Sequence, residues 1–196
     1  MHHCAQGKMT IELEVAIESA KQGNDQGIVT LFRSFNPQLL RFLKNQAPNQ
    51  YEDIASETWL AIAKGIANFN GNPHDFRSWM FSIARRKLVD HYRTAGKSKI
   101  AFENLRTRFS QEQSLNEADS SSEAAISNLS AESAIEELVN QLPPHHAEVL
   151  LLRILGELSV EEVAKIVEKS PEAVRVIQYR ALNSLSKKFK RNFVTE

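Results

Sequence analysis

Cysteine is almost missing from this chain: Cys4 is the single one in 196 residues. No internal disulfide can form, and a reducing compartment, the cytoplasm, is the expected setting. Glycine and proline are scarce, at 7 and 6 residues, which tells against a turn-rich all-β fold. Apolar runs such as Val149 to Leu152 are only a handful of residues long, whereas a membrane span needs about 20, so no direct membrane insertion is expected. Glu12, Glu14 and Glu18 lie inside the first apolar region, which argues against a signal peptide. There is no P-loop, no Gly-x-Gly-x-x-Gly and no His-Glu-x-x-His, and the six histidines are scattered or in adjacent pairs. His2, His3 and Cys4 would be three ligands on a terminus with nothing expected to hold it, a poor metal site. Neither an enzyme nor a metal or cofactor is therefore expected.

Net charge is also missing, with 24 basic against 24 acidic residues. The zero hides a segregated distribution. Residues 77–99 carry Arg77, Arg85, Arg86, Lys87, Arg93, Lys97 and Lys99 against Asp90, a surplus of +6. Residues 169–191 carry Lys169, Arg175, Arg180, Lys187, Lys188, Lys190 and Arg191 against Glu172, again +6, while residues 101–140 set eight acids against two arginines, −6. Two basic patches flank an acidic strap, a pattern of nucleic-acid binding.

The strap is also rich in serine, with eight between Ser110 and Ser133, and such a composition buries too little apolar surface to offset its ordering entropy. The reading is all-α: two small helical domains, 9–97 and 134–192, joined by a flexible linker at 98–133. In the first domain, Leu13, Ile17 and Ala20 form one apolar stripe and Ile28, Leu31, Phe32 and Phe35 a second, with a break expected at Asn36-Pro37. Ala55, Trp59, Ile62, Ile66 and Phe69 repeat at helical spacing. After the Asn70-Gly71-Asn72-Pro73 loop, Phe76, Trp79, Met80, Ile83, Ala84 and Leu88 supply the next apolar face. The second domain opens with Ile135, Leu138, Val139 and Leu142 and stops at Pro143-Pro144, after which His145-His146 begin a helix bearing Val149, Leu150, Leu152, Ile154 and Leu155.

Two short helices close the chain. Ser159 with Glu162 forms a capping box, and Ser170-Pro171 is an N-cap followed by a first-turn proline. A helix of about nine residues, a turn of two or three and a second helix with a basic face is a helix-turn-helix. The second helix is expected to bury Val174, Ile177, Ala181, Leu182 and Leu185. Its other face brings Arg175, Gln178, Tyr179 and Arg180 together; arginine can fork onto guanine, glutamine can pair with adenine, and tyrosine can reach a phosphate or a thymine methyl. Lys169, Lys187, Lys188, Lys190 and Arg191 would serve the DNA backbone. In the stretch 76–93, aromatics mix with cations, which suits unpaired bases; Trp79 is expected to be largely core and Arg85, Arg86, Lys87 and Arg93 to face nucleic acid. On the preceding helix, Asp53, Glu57, Leu60 and Lys64 form a stripe opposite Trp59, a docking surface or a solvated face.

These stretches resemble, in the right order and with the right gap, the extracytoplasmic-function (ECF) sigma factors of bacterial RNA polymerase. Tyr51 to Leu60 is similar to the family's core-binding helix, with its Asp–x–x–x–Glu-Thr-aromatic-Leu pattern. Phe76-Arg77-x-Trp79, Ile83-Ala84-Arg85 and Asp90-x-x-Arg93 resemble its promoter-melting helix. Leu142-Pro143-Pro144, Glu148 to Arg153, Leu158 to Ala164 and Ala173-Val174-Arg175 resemble its helix-turn-helix domain. The resemblance implies a factor that binds core RNA polymerase through Asp53, Glu57 and Leu60, melts the promoter and initiates transcription of a specific regulon. It implies that Phe69, Asn70 and Asn72 capture a flipped base of the non-template minus-ten strand, that Arg86 and Asp90 face that strand with Arg77, Arg85, Lys87 and Arg93 on the same helix, and that Arg175, Val176, Tyr179 and Arg180 read the duplex minus-thirty-five element. The acidic linker resembles one that threads the polymerase RNA channel, and many relatives are held by an anti-sigma factor. Glu168-Lys169 departs from the family, which has a glycine and an apolar residue there. A stand-alone helix-turn-helix regulator, dimeric on duplex DNA, is the rival reading, and an adaptor that occupies polymerase without reading DNA a second.

Overall fold

A computed structural model of the chain describes residues 2–94, 139 and 141–193, and the expected linker, with Ile135 and Leu138, lies outside the described residues. No strand occurs among them. Seven α-helices follow one another among the described residues: α1 (His2–Lys21), α2 (Asp25–Gln46), α3 (Tyr51–Gly65), α4 (Pro73–Thr94), α5 (Pro144–Ile154), α6 (Val160–Val167) and α7 (Pro171–Phe193), with a 3-10 turn over Ile66–Asn68 after α3.

Local chemistry explains the corners. Gly23 takes the left-handed φ of 81° that closes α1, and Asn24 caps α2 by accepting from the Gln26 N–H at 2.9 Å. Asn72 caps α4: its side chain accepts from the N–H groups of His74 and Asp75, while the Asp75 carboxylate takes the Asn72 N–H at 2.9 Å. The helices α1 and α2 cross so closely that a Cβ on Gly27 would lie 2.5 Å from the Ala16 carbonyl oxygen and the Ala20 nitrogen. The expected break at Asn36-Pro37 does not occur; α2 runs through Pro37. The proline and Arg33, whose carbonyl loses its helical partner, both lie on the exposed side, where water replaces the bond, and the buried stripe Leu31, Phe35, Leu39 and Phe42 continues across it.

Four fully buried phenylalanines organise the first module: Phe35 meets Phe76 with ring centres 5.2 Å apart, and Phe42 meets Phe81 edge-on at 5.4 Å. Trp59 is tied to α2 by its indole N–H, donated to Asn36 Oδ1 at 3.0 Å. In the second module, Val149, Leu150, Leu152, Leu158, Val163, Val174 and Ala181 fill the interior. Two residues expected inside are outside: Ile154 is 49% exposed and Leu182 47%. The buried residues of α7 are Val174, Ile177 and Ala181, a +3, +4 stripe that leaves Leu182 on its flank, and Ile154 is the last residue of α5, past the run His145–Leu152 that is buried all round.

The modules also touch. Helix α5 packs on α2 and α6 on α4, and the buried residues of both form one connected apolar cluster. Phe81 sits at the seam, with its Cε2 3.2 Å from where a Cβ on Gly156 would be.

Candidate nucleic-acid interfaces

The helix-turn-helix is built as its caps dictate. Ser159 accepts from the Glu162 N–H at 3.2 Å and donates its own N–H to the Glu162 carboxylate at 2.8 Å. Burial pushes the Glu162 carboxyl up, but the hydrogen bonds from Ser159 and the contact with His74 outweigh it, leaving the group below its ordinary range. Glu168 ends α6 in the left-handed conformation at φ 56°, a region that favours glycine, and the Lys169 N–H returns to the Ala164 carbonyl at 2.9 Å. Ala164 is buried at the crossing. Ser170 then caps α7 by accepting from the Ala173 N–H at 3.2 Å.

On α7 the predicted reading surface faces outward: Arg175, Val176, Tyr179, Arg180 and Lys187 are exposed, and Lys169 is half-buried at the turn. Tyr179 is 68% exposed, apt for a groove. Arg175 is held in place by Glu161 at 2.9 Å and Glu172 at 3.7 Å. Gln178 departs from the expected cluster; it is half-buried and accepts from Arg153 Nε at 3.3 Å, while Arg153 also donates to the Leu158 carbonyl. Arg153 is thus a positioning residue for α7 that the sequence reading passed over.

The predicted minus-ten residues divide into two groups. Arg86, Asp90 and Arg93 are exposed and Lys87 partly so, along one side of α4. Arg86 Nε donates to the Ser82 carbonyl at 3.3 Å, Lys87 meets Glu57 at 3.2 Å and Arg93 meets Asp90 at 3.6 Å. Arg77 and Arg85 instead point at the second module, their side chains only 16% and 17% exposed. Phe69, expected in a base-capturing loop, is a core residue here: it is 8% exposed, packs edge-on against Phe76 and stacks on Trp79 at 5.0 Å. Trp79 itself is half-buried. The loop keeps Asn70 exposed, while the Asn72 side chain is engaged as the α4 cap. On α3, Asp53, Glu57 and Leu60 are exposed together, Leu60 by 61%, opposite buried Trp59.

The sequence reading named Glu162 as a cap and Glu168 as a departure at the turn, but gave no acid of the second module a partner on α4. Glu148 is 7% exposed and lies 3.0 Å from Arg85 Nε; burial pushes its carboxyl up, and Arg85 and then Lys169 pull it part of the way back. No group of three or more His, Cys, Asp and Glu side chains that could hold a metal gathers among the described residues, and no helix among them is long and apolar enough to cross a membrane.

An all-helical chain with a capped helix-turn-helix, an outward basic reading helix and a second aromatic–cationic helix belongs to the class of DNA-binding transcription proteins. Comparison with known proteins narrows the class. Residues 31–98 match the family model "Sigma-70 region 2" and residues 132–185 the model "Sigma-70, region 4". The chain is 27% identical over 173 residues to the ECF RNA polymerase sigma factor BldN of Streptomyces coelicolor, covering 87% of this chain and 63% of that protein. It is 27% identical over 180 residues to the ECF sigma factor SigD of Mycobacterium tuberculosis, covering 88% of this chain and 82% of SigD. In fold it is similar to CnrH, solved in complex with the cytosolic domain of CnrY, at a TM-score of 0.58, 20% identity and coverage of 92% and 98% of the two chains. It is also similar to RpoE of Bartonella quintana, solved with the anti-sigma factor NepR, at 0.56 and 19%, covering 81% of this chain and 94% of RpoE. The chain belongs to the sigma-70 family, in its ECF group, whose members bind core RNA polymerase and promoter DNA in promoter recognition and transcription initiation.

Proposed function

We propose that this chain works at the level of single residues as follows. Helix α3 docks on core polymerase with Asp53 and Glu57 supplying charge and Leu60 an apolar anchor. Helix α7 lies in the major groove of the minus-thirty-five element, where Arg175 and Arg180 read base edges, Val176 and Tyr179 meet thymine methyls or phosphate, Gln178 lines the reading helix, and Lys169 and Lys187 hold the backbone. The outer side of α4, with Arg86, Lys87, Asp90 and Arg93, tracks the unpaired non-template strand of the minus-ten element, and Asn70, exposed in the loop before it, meets the flipped base beside Asn72. The observation that carries this reading is the exposed Arg175–Tyr179 face on a helix whose start is set by the Ser170 cap.

Polymerase performs the chemistry and the chain acts by binding, in the cytoplasm where polymerase and promoters are. The solved CnrH and RpoE structures both hold a second protein, in the latter an anti-sigma factor, and this supports an anti-sigma partner here as well. Run-off transcription with purified core polymerase on genomic fragments tests the function. Promoter-specific transcripts are expected only when the chain is added; a homodimer that binds duplex sites without polymerase and yields no transcript would instead make it a stand-alone regulator.

A further inference from the structure

Arg153 joins three elements of the second module. It springs from α5, its guanidinium donates to the Leu158 carbonyl at the corner before α6, and its Nε donates to Gln178 Oε1 on α7 at 3.3 Å. Leu158 is fully buried and Arg153 half-buried, so the guanidinium is braced against the interior before it meets Gln178. Arginine has only donors to offer. The atom of the Gln178 amide that faces it is therefore the oxygen, and turning the amide over would set N–H against N–H and forfeit the bond.

What remains of Gln178 is Nε2, a group with two hydrogens. It has no partner among the described residues and is not sealed from solvent. Gln178 lies three residues after Arg175 and four before Leu182, both exposed, so the three share one flank of α7. Arg175 is a donor too, steadied by Glu161 at 2.9 Å. The polar groups that this flank offers to a ligand are N–H groups.

We propose that Arg153 makes Gln178 a donor-only contact to DNA: its Nε2 meets an acceptor in or beside the major groove, and it does not select adenine. The proposal rests on the reading of α7 as the helix in the minus-thirty-five groove. A glutamine chooses adenine by doing two things at once, donating to N7 and accepting from the N6 amino group. With Oε1 given to Arg153, the second half is missing. Adenine N7 alone is no better an acceptor than guanine N7, and guanine adds O6 beside it, so guanine is read at least as well. A phosphate oxygen satisfies the same N–H group. The adenine pairing expected from the residue type gives way, and Arg153, which acts through Gln178, is a positioning residue for base preference.

The chain in complex with core polymerase, offered duplexes randomised across the upstream element, reports base preference through the sequences it retains. Gln178→Met fills the same space without either polar atom. It is expected to keep the parent's circular dichroism and to bind the parent's selected duplex about five-fold more weakly, the scale of one neutral hydrogen bond. A loss confined to one base pair, at which the parent takes guanine at least as often as adenine, places the acceptor on a base edge. An equal loss on every sequence places it on a phosphate. Either result supports the donor-only contact. Where the acceptor is a base, Arg153→Met frees the amide, and a preference for adenine over guanine of at least about five-fold is expected to appear at that base pair; a folded Arg153→Met that still takes guanine equally overturns the part given to Arg153. Two results overturn the proposal without that variant: a parent that already prefers adenine at the position lost in Gln178→Met, or Gln178→Met bound as tightly as the parent. Failure of the underlying reading looks different, since a parent complex with no upstream sequence preference at all removes α7 from the groove.

Discussion

Glu162 holds the Ser159 N–H, accepts from its hydroxyl and faces His74 of the other module, and these contacts leave its carboxyl below the ordinary value of 4.5 even though burial opposes them. A depressed carboxyl contributes stability that is fully present above its unfolded value and lost as pH falls through its folded one. Glu162→Gln is therefore expected to melt below the parent at neutral pH, with the gap narrowing as the pH falls below the ordinary carboxyl range; thermal melts by circular dichroism across an acid series check this. Ser159→Ala removes the reciprocal half of the same box, and about 1 kcal/mol of stability should go with it in urea unfolding. At the other end of the turn, Arg175→Ala should weaken binding of duplex upstream DNA by about 1–3 kcal/mol if the guanidinium forks onto a base, and a footprint identical to the parent's would remove it from the reading set. The capping box was legible because Ser and Glu three residues apart before an apolar run have one local solution. The part played by Gln178 was not, because its partner Arg153 comes from another helix.

Among the helices, α2 shows where local signals yield to packing. Asn36-Pro37 reads as a stop, yet Leu31, Phe35, Leu39 and Phe42 keep a common buried side across it, and burying those residues outweighs one lost hydrogen bond on the wet side. Gly27 is the converse, a residue with no motif around it whose missing Cβ sets the distance between α1 and α2. Gly27→Ala should cost about 1–3 kcal/mol of unfolding free energy through backbone displacement, read from the midpoint of a denaturant titration. On α3, the stripe of Asp53, Glu57 and Leu60 is exposed beside a helix whose opposite face is core. Asp53→Lys with Glu57→Lys should abolish capture by core polymerase in a pull-down and leave the far-ultraviolet circular dichroism unchanged; normal capture would make the stripe solvated surface.

For the molecule as a whole, the contact between the modules joins arginines of α4 to acids of the second module, and ion pairs at a partly solvated seam weaken as salt shortens the Debye length from about 8 Å at 0.15 M to about 3 Å at 1 M. The radius of gyration from small-angle scattering is expected to rise with salt, because the pairs Arg77–Glu157 and Arg85–Glu168 join the modules. The sequence alone determined the helical class, the helix-turn-helix with its caps, the segregated charge and the outward faces of α3 and α7, since each follows from spacing within a few turns of chain. It also brought Arg77, Arg85 and Phe69 forward as nucleic-acid residues, and only the tertiary structure turned the two arginines toward Glu157, Glu148 and Glu168 and the phenylalanine into the Phe76–Trp79 stack. Periodicity says which side chains share a face of a helix. For Arg85 the partners that its face meets are 63 and 83 residues away along the chain, and a contact at that distance leaves no mark on the local pattern at either end; Phe69 meets Phe76 and Trp79 across a loop, where helical periodicity does not run.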